Sequence, residues 1–138
     1  MELVIDANIL MSALIASNGV TFDLIFDEKL RLFSPEFLFK EIEKHKDEIM
    51  FKSGLLESEF DFLFSILYSK IDVIQKKEFE SFIDKTKEIT PDENDTEYLA
   101  LAFKMNCSLW SNDKILKEQK YIHIVNTSEL IKLLSDNR

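Results

Sequence analysis

The chain has 138 residues, 46% of them hydrophobic, which is the size of one ordinary domain with material for a real core. Two glycines and two prolines rule out glycine-rich phosphate cradles and long irregular loops, and a single cysteine rules out an intrachain disulfide, as is usual for a cytoplasmic protein. The net charge of −9 opposes non-specific coating of nucleic acid but is compatible with an enzyme that meets phosphates through bound cations.

In chain order, Leu3-Val4-Ile5 reads as a short buried strand that ends on Asp6, and Asn8 to Ala16 as a helix apolar nearly all round. No basic segment precedes them, so no signal peptide is expected, and no window reaches the ~18 uncharged apolar residues of a membrane span. Thr21 is placed to cap a second helix to Asp27, and Leu30 to Phe33 reads as a second strand. Ser34-Pro35-Glu36 predicts a helix start with Ser34 as the cap and Pro35 as the first helical residue; the helix runs to about His45. Gly54 breaks the chain before a Phe-rich helix over Glu57 to Lys70, a third strand over Ile71 to Gln75 and a helix over Glu78 to Lys87. "TPDENDTE" (90–97) is an acidic turn capping the helix "YLALAFKMN", and "SLWS" (108–111) is a fourth strand. "NDKILKEQ" (112–119) predicts a short helix, "IHIV" (122–125) a fifth strand, and Thr127-Ser128-Glu129 the cap of a last helix. Short apolar strands alternating with helices predict one α/β domain over residues 1–138 around a parallel sheet.

The acids carry the chemistry. Ligands of open parallel sheets bind outside the carboxyl ends of the strands. Asp6 directly follows the first strand and Asp113 the fourth, after Asn112, so both belong to that end. Glu41 lies at i+3 on the stripe of Leu38, Ile42 and His45, and Asp95 lies four residues before Leu99 on the stripe of Leu99, Ala102 and Phe103. Taken singly, each acid also reads as a turn, cap or stripe-margin residue. Taken together, four acids on one side of one fold repel one another, and a divalent cation removes that cost. Hard oxygen donors select Mg²⁺ or Mn²⁺, a setting for hydrolysis of a phosphodiester. Asp92 and Glu97 read as solvated acids of the same turn. Asn8, Asn112 and Ser111 are candidates for holding the carboxylates in place, Ser111 reading rather as a turn and cap residue.

The motifs "LVIDANIL", "SPEFLFKEIEKH", "NDTEYLALA" and "LWSNDKIL" stand in the order and spacing of the PIN domain, which the chain resembles over essentially its whole length. The resemblance implies a three-layer α/β/α fold with a central, mostly parallel sheet and a Mg²⁺- or Mn²⁺-dependent ribonuclease that leaves 5′-phosphate products. Carried over residue by residue, the acidic site falls on Asp6, Glu41, Asp95 and Asp113, the polar residue after the first acid on Asn8, and the residue before the last acid on Asn112. Residues 53–89 depart from compact toxin-type members by an inserted helix, strand and helix, so the chain resembles stand-alone prokaryotic PIN proteins as much as the toxins of toxin–antitoxin pairs. RNA, a homodimer partner and an antitoxin protein are the partners this resemblance implies.

Other features take second place. "EFDFLFSILY" (59–68) has apolar residues on two stripes, Phe60, Phe64 and Leu67 and then Phe62 and Ile66, and reads either as a helix buried in the monomer or as a partner surface. Lys114, Lys117 and Lys120 read as a solvated face or as a means of steering a phosphate backbone to the metal. Trp110 and Cys107 read as core residues. His45 and His123 are too few and too far apart for a zinc site. "DENDTE" is no EF-hand, since Glu97 stands where glycine is required. Ser–His–Asp hydrolase chemistry lacks its elbow glycines, and an aspartyl nucleophile at Asp6 lacks a second acid at Asn8. The alternative to an enzyme is a PIN-fold binding or regulatory module, which the net charge favours.

Overall fold

The computed structural model describes residues 1–136. Five strands form one parallel sheet in the order β3-β2-β1-β4-β5: β1 (Glu2–Ile5), β2 (Arg31–Pro35), β3 (Ile71–Ile74), β4 (Ser108–Trp110) and β5 (Ile124–Val125). Leu3, Val4 and Ile5 are buried on both faces, as expected of the central strand of a parallel sheet. Pairing of β1 with β2 on one side and β4 on the other, Ile5 opposite Trp110, puts the reversal of strand order between β1 and β4.

The helices are α1 (Ala7–Ala16), α2 (Val20–Ile25), α3 (Phe37–Lys44), α4 (Lys46–Ser53), α5 (Glu57–Tyr68), α6 (Ile83–Lys87), α7 (Thr96–Met105) and α8 (Thr127–Asp136). α1 packs against α2, α3, α4 and α5, and α7 packs against α6, β1, β2 and β4. The result is the three-layer α/β/α arrangement. α7 returns from the carboxyl end of the sheet to the start of β4, so its N-terminus stands at the same end as Asp6 and Asp113.

Several local expectations are corrected. Ser34 is not a helix cap and Pro35 is not the first helical residue. β2 continues through Pro35, which lies opposite Ile74, and the Ser34 hydroxyl, fully buried, donates to the Pro35 carbonyl at 2.8 Å. Pairing with β3 wins there, and Pro35 stands at the strand's end, beyond the register with β1, which stops at Phe33. α3 starts at Phe37 and stops at His45, and α4 then fills residues left unassigned up to Gly54, whose φ of 75° closes it. The expected helix over 78–87 divides into 3-10 turns at Lys76–Glu78 and Glu80–Phe82 followed by α6, because Phe79 is drawn fully into the core between them. "NDKILKEQ" holds only a 3-10 turn over Ile115–Glu118. The fifth strand keeps only Ile124 and Val125, since the Gln119 side chain satisfies the backbone of Tyr121 and Ile122 instead.

Candidate active site

Asp6 leaves β1 and opens α1. It is 3% exposed, and its Oδ1 accepts the Ile9 N–H at 3.0 Å. The cap leaves Asp6 further capacity, since a single N–H takes only part of what a carboxylate can accept. Ser111, fully buried just past β4, accepts the Asp113 N–H on its Oγ at 3.1 Å and helps hold down the Asp6 pKa. One hydroxyl thus stands near the exits of the two strands at the reversal point. Asp113 is held in turn by accepting the Ile115 N–H at 2.9 Å.

Glu41 sits half-buried in the second turn of α3. Its Oε1 accepts the Tyr98 hydroxyl at 2.6 Å. Tyr98 lies in the first turn of α7, 1% exposed, its ring 6.3 Å from that of Phe37. Asp95 occupies the N-cap position of α7, yet its side chain makes no capping bond, so the carboxylate is not spent on the helix. Thr96, next in the chain, buries a hydroxyl that has no hydrogen-bond partner among the described residues.

The acids also act on one another electrostatically. Burial pushes Asp6 up to about 6 against the pull of the Ser111 and Ile9 hydrogen bonds, and the charges of Asp113 and Glu41 add to the rise. Burial and then the charges of Asp92, Asp6, Asp113 and Glu41 push Asp95 up to about 7. Burial also raises Glu41, opposed by the Tyr98 bond. The Tyr98 phenol is held far above its ordinary range by burial and by Glu41, with Asp6 and Asp95 acting in the same direction. Asp6 and Asp95 thus each feel the charges of Glu41 and Asp113, and Asp92 acts on Glu41 and Asp95. Glu97 is half-buried on α7.

The expected helpers divide. Asn8 is exposed, and Asn112 is exposed with its Oδ1 accepting the Thr127 N–H at 2.9 Å, so it ties down the start of α8 rather than a carboxylate. Ser111 takes the supporting role instead. Lys114 and Lys117 border a hollow of about 470 Å³ that also includes Asp113 and the start of α8. Lys117 shares its charge with Glu129, and Lys120 is exposed farther along the loop. Tyr98 is the residue the sequence reading missed. Its spacing from Asp95, i to i+3 on one helix side, was the available signal.

A divalent cation suits this donor set. All the candidate ligands are carboxylate oxygens, and among the described residues no Lys, Arg or His forms an ion pair with any of the four. Among the described residues no three His, Cys, Asp or Glu side chains are gathered closely enough to hold a metal ion together. Mg²⁺ does not need three, because it keeps several waters and takes one or two carboxylates directly.

A model of the PIN domain family matches residues 4–133. Among solved structures, PAE2754 from Pyrobaculum aerophilum is similar with a TM-score of 0.70 and 15% identity over 99% of this chain and 90% of that one. VapBC2 from Rickettsia felis, bound to a DNA fragment from its promoter, has a chain similar with a TM-score of 0.64 and 14% identity over 91% of this chain and 98% of that one. Both likenesses are of fold. Among curated proteins, none matches this sequence.

Proposed function

Because this chain belongs to the PIN domain family, we propose that it is a Mg²⁺- or Mn²⁺-dependent endoribonuclease acting at Asp6, Glu41, Asp95 and Asp113. PIN domains are generally nucleases and typically depend on a divalent metal. The observation that carries the reading is the uncompensated negative charge: burial raises the proton affinity of Asp6 and of half-buried Asp95, the charges of Asp113 and Glu41 add to both, and no cationic side chain is paired to either among the described residues. One or two of the four carboxylates would hold the cation directly and the others through its waters; when bound it neutralises them, polarises a phosphoryl group and acidifies water.

The protein's own groups do the rest. Ser111 orients Asp6 and seats the turn that presents Asp113. Lys114, beside Asp113, and Lys117 offer positive charge to an RNA backbone in a chain that otherwise repels it. The further reading as a cytoplasmic toxin restrained by an antitoxin is supported by Phe51, Leu56 and Phe62, whose exposed apolar side chains on and between α4 and α5 suit a protein partner. Among the described residues no helix is long and apolar enough to cross a membrane.

The test is cleavage of labelled single-stranded RNAs with Mn²⁺ by wild type and Asp6→Asn. Wild type is expected to cut and a chelator to stop it. The variant, which keeps a cap-competent side chain, should lose at least about a hundredfold, since removing a ligand costs no less than removing the group that orients one. Cleavage by neither protein across several RNAs would sink the enzyme and leave the binding module.

A further inference from the structure

We propose that Tyr98 is a positioning residue for Glu41: its hydroxyl, donating to Oε1 at 2.6 Å, fixes that carboxylate and leaves Oε2 for a divalent cation. This rests on the reading of the acidic cluster as a cation site. The other carboxylates are held by shorter means. Asp6 is anchored by the Ile9 N–H and Ser111, Asp113 by the Ile115 N–H, and Asp95 by a short side chain at a helix start. Glu41 has a longer, more mobile side chain on a different helix and stands half-exposed, so without a partner it samples several rotamers.

Tyr98 is suited to hold it. The ring is 1% exposed and packs beside Phe37, so the hydroxyl has little freedom of its own. A phenol donates one hydrogen bond and carries no charge, so it orients Glu41 without cancelling the negative charge that a cation needs. The bond joins residues 57 apart in sequence, on α3 and α7, and therefore also fixes the distance between the two helices that bring Glu41 and Asp95 to the site. The same bond serving only as a tie between helices predicts a different outcome, which separates the two roles.

The experiment measures Mn²⁺ affinity by calorimetry for wild type, Tyr98→Phe, Glu41→Gln and the double variant, alongside melting temperature and the division of any rate loss between kcat and KM. Tyr98→Phe keeps the ring and removes only the donor. It is expected to weaken Mn²⁺ about tenfold or more and to lower kcat rather than raise KM, with no further weakening in the Glu41→Gln background. Unchanged Mn²⁺ affinity with a lower melting temperature overturns the positioning role and leaves the cation site standing. Equal weakening with and without Glu41 overturns it as well. A wild type that binds no Mn²⁺ overturns both this and the site reading. Should Tyr98→Phe fail to fold, 3-fluorotyrosine at position 98 keeps the ring and strengthens the donor; an unchanged Mn²⁺ affinity there also overturns the proposal.

Discussion

Ser111 places a single hydroxyl near two acids. It is fully buried, helps hold down the Asp6 pKa and accepts the Asp113 N–H, while its own N–H is used by the Val125 carbonyl in pairing with β5. Its residue type and place after a strand suit a turn or cap equally well, so the sequence alone leaves its role open. Ser111→Ala removes a hydrogen bond that favours ionised Asp6, so Asp6 should titrate higher still. RNA cleavage is expected to fall about 10–100-fold, with a larger loss at acidic than at neutral pH, as read from a rate–pH profile. A variant with wild-type rates at every pH would show that Ser111 only closes a turn. Asp6 illustrates the opposite case. The structure shows it as a cap, and the cap uses one N–H of a group that accepts several, so it does not exclude a site role.

The helices start where tertiary contacts allow. α8 was expected to be capped from Thr127, but the cap is one residue earlier: Asn126 Oδ1 accepts the Glu129 N–H at 2.8 Å, and Glu129 Oε1 accepts the Asn126 N–H at 3.2 Å. Thr127 is used elsewhere, its Oγ1 accepting the Trp110 indole N–H at 3.1 Å. This reciprocal capping box satisfies two backbone donors at the sheet end that carries the acids. Asn126→Ala is expected to lower stability by about 1 kcal/mol, measured by urea unfolding, while leaving the acids in place. A loss within experimental error would mean that the Thr127 contacts hold the helix start unaided. The same competition explains α3: Ser34 has the chemistry of a cap, but strand pairing through Pro35 and full burial keep it extended.

For the molecule as a whole, the raised carboxyls make stability depend on pH. An acid that titrates higher in the fold binds more protons folded than unfolded, so stability falls as pH rises through the interval between its two values. For Asp6 that interval runs from the ordinary 3.8 to about 6, and for Asp95 from 3.8 to about 7. These two acids should therefore make metal-free protein lose melting temperature as pH rises from about 4 to about 7. Mn²⁺ should raise the melting temperature, and by more at the higher pH, because protons then no longer compete for the carboxylates. A metal-free melting curve flat across that range, followed by scanning calorimetry, would show that Asp6 and Asp95 do not carry raised proton affinities in the fold.

The sequence by itself was enough for the α/β class, the five apolar runs and the four acids, since all of these are local. An apolar run of three or four residues, a 3.6-residue period and an acid at a strand end can be read within a short window. Only the tertiary structure decided the strand order β3-β2-β1-β4-β5, the burial of Ser34 and Ser111, the break at Phe79 and the Tyr98–Glu41 bond. Each of these depends on which segments meet across long separations, and hydrogen-bonding capacity is then assigned by proximity in space rather than by position in the chain.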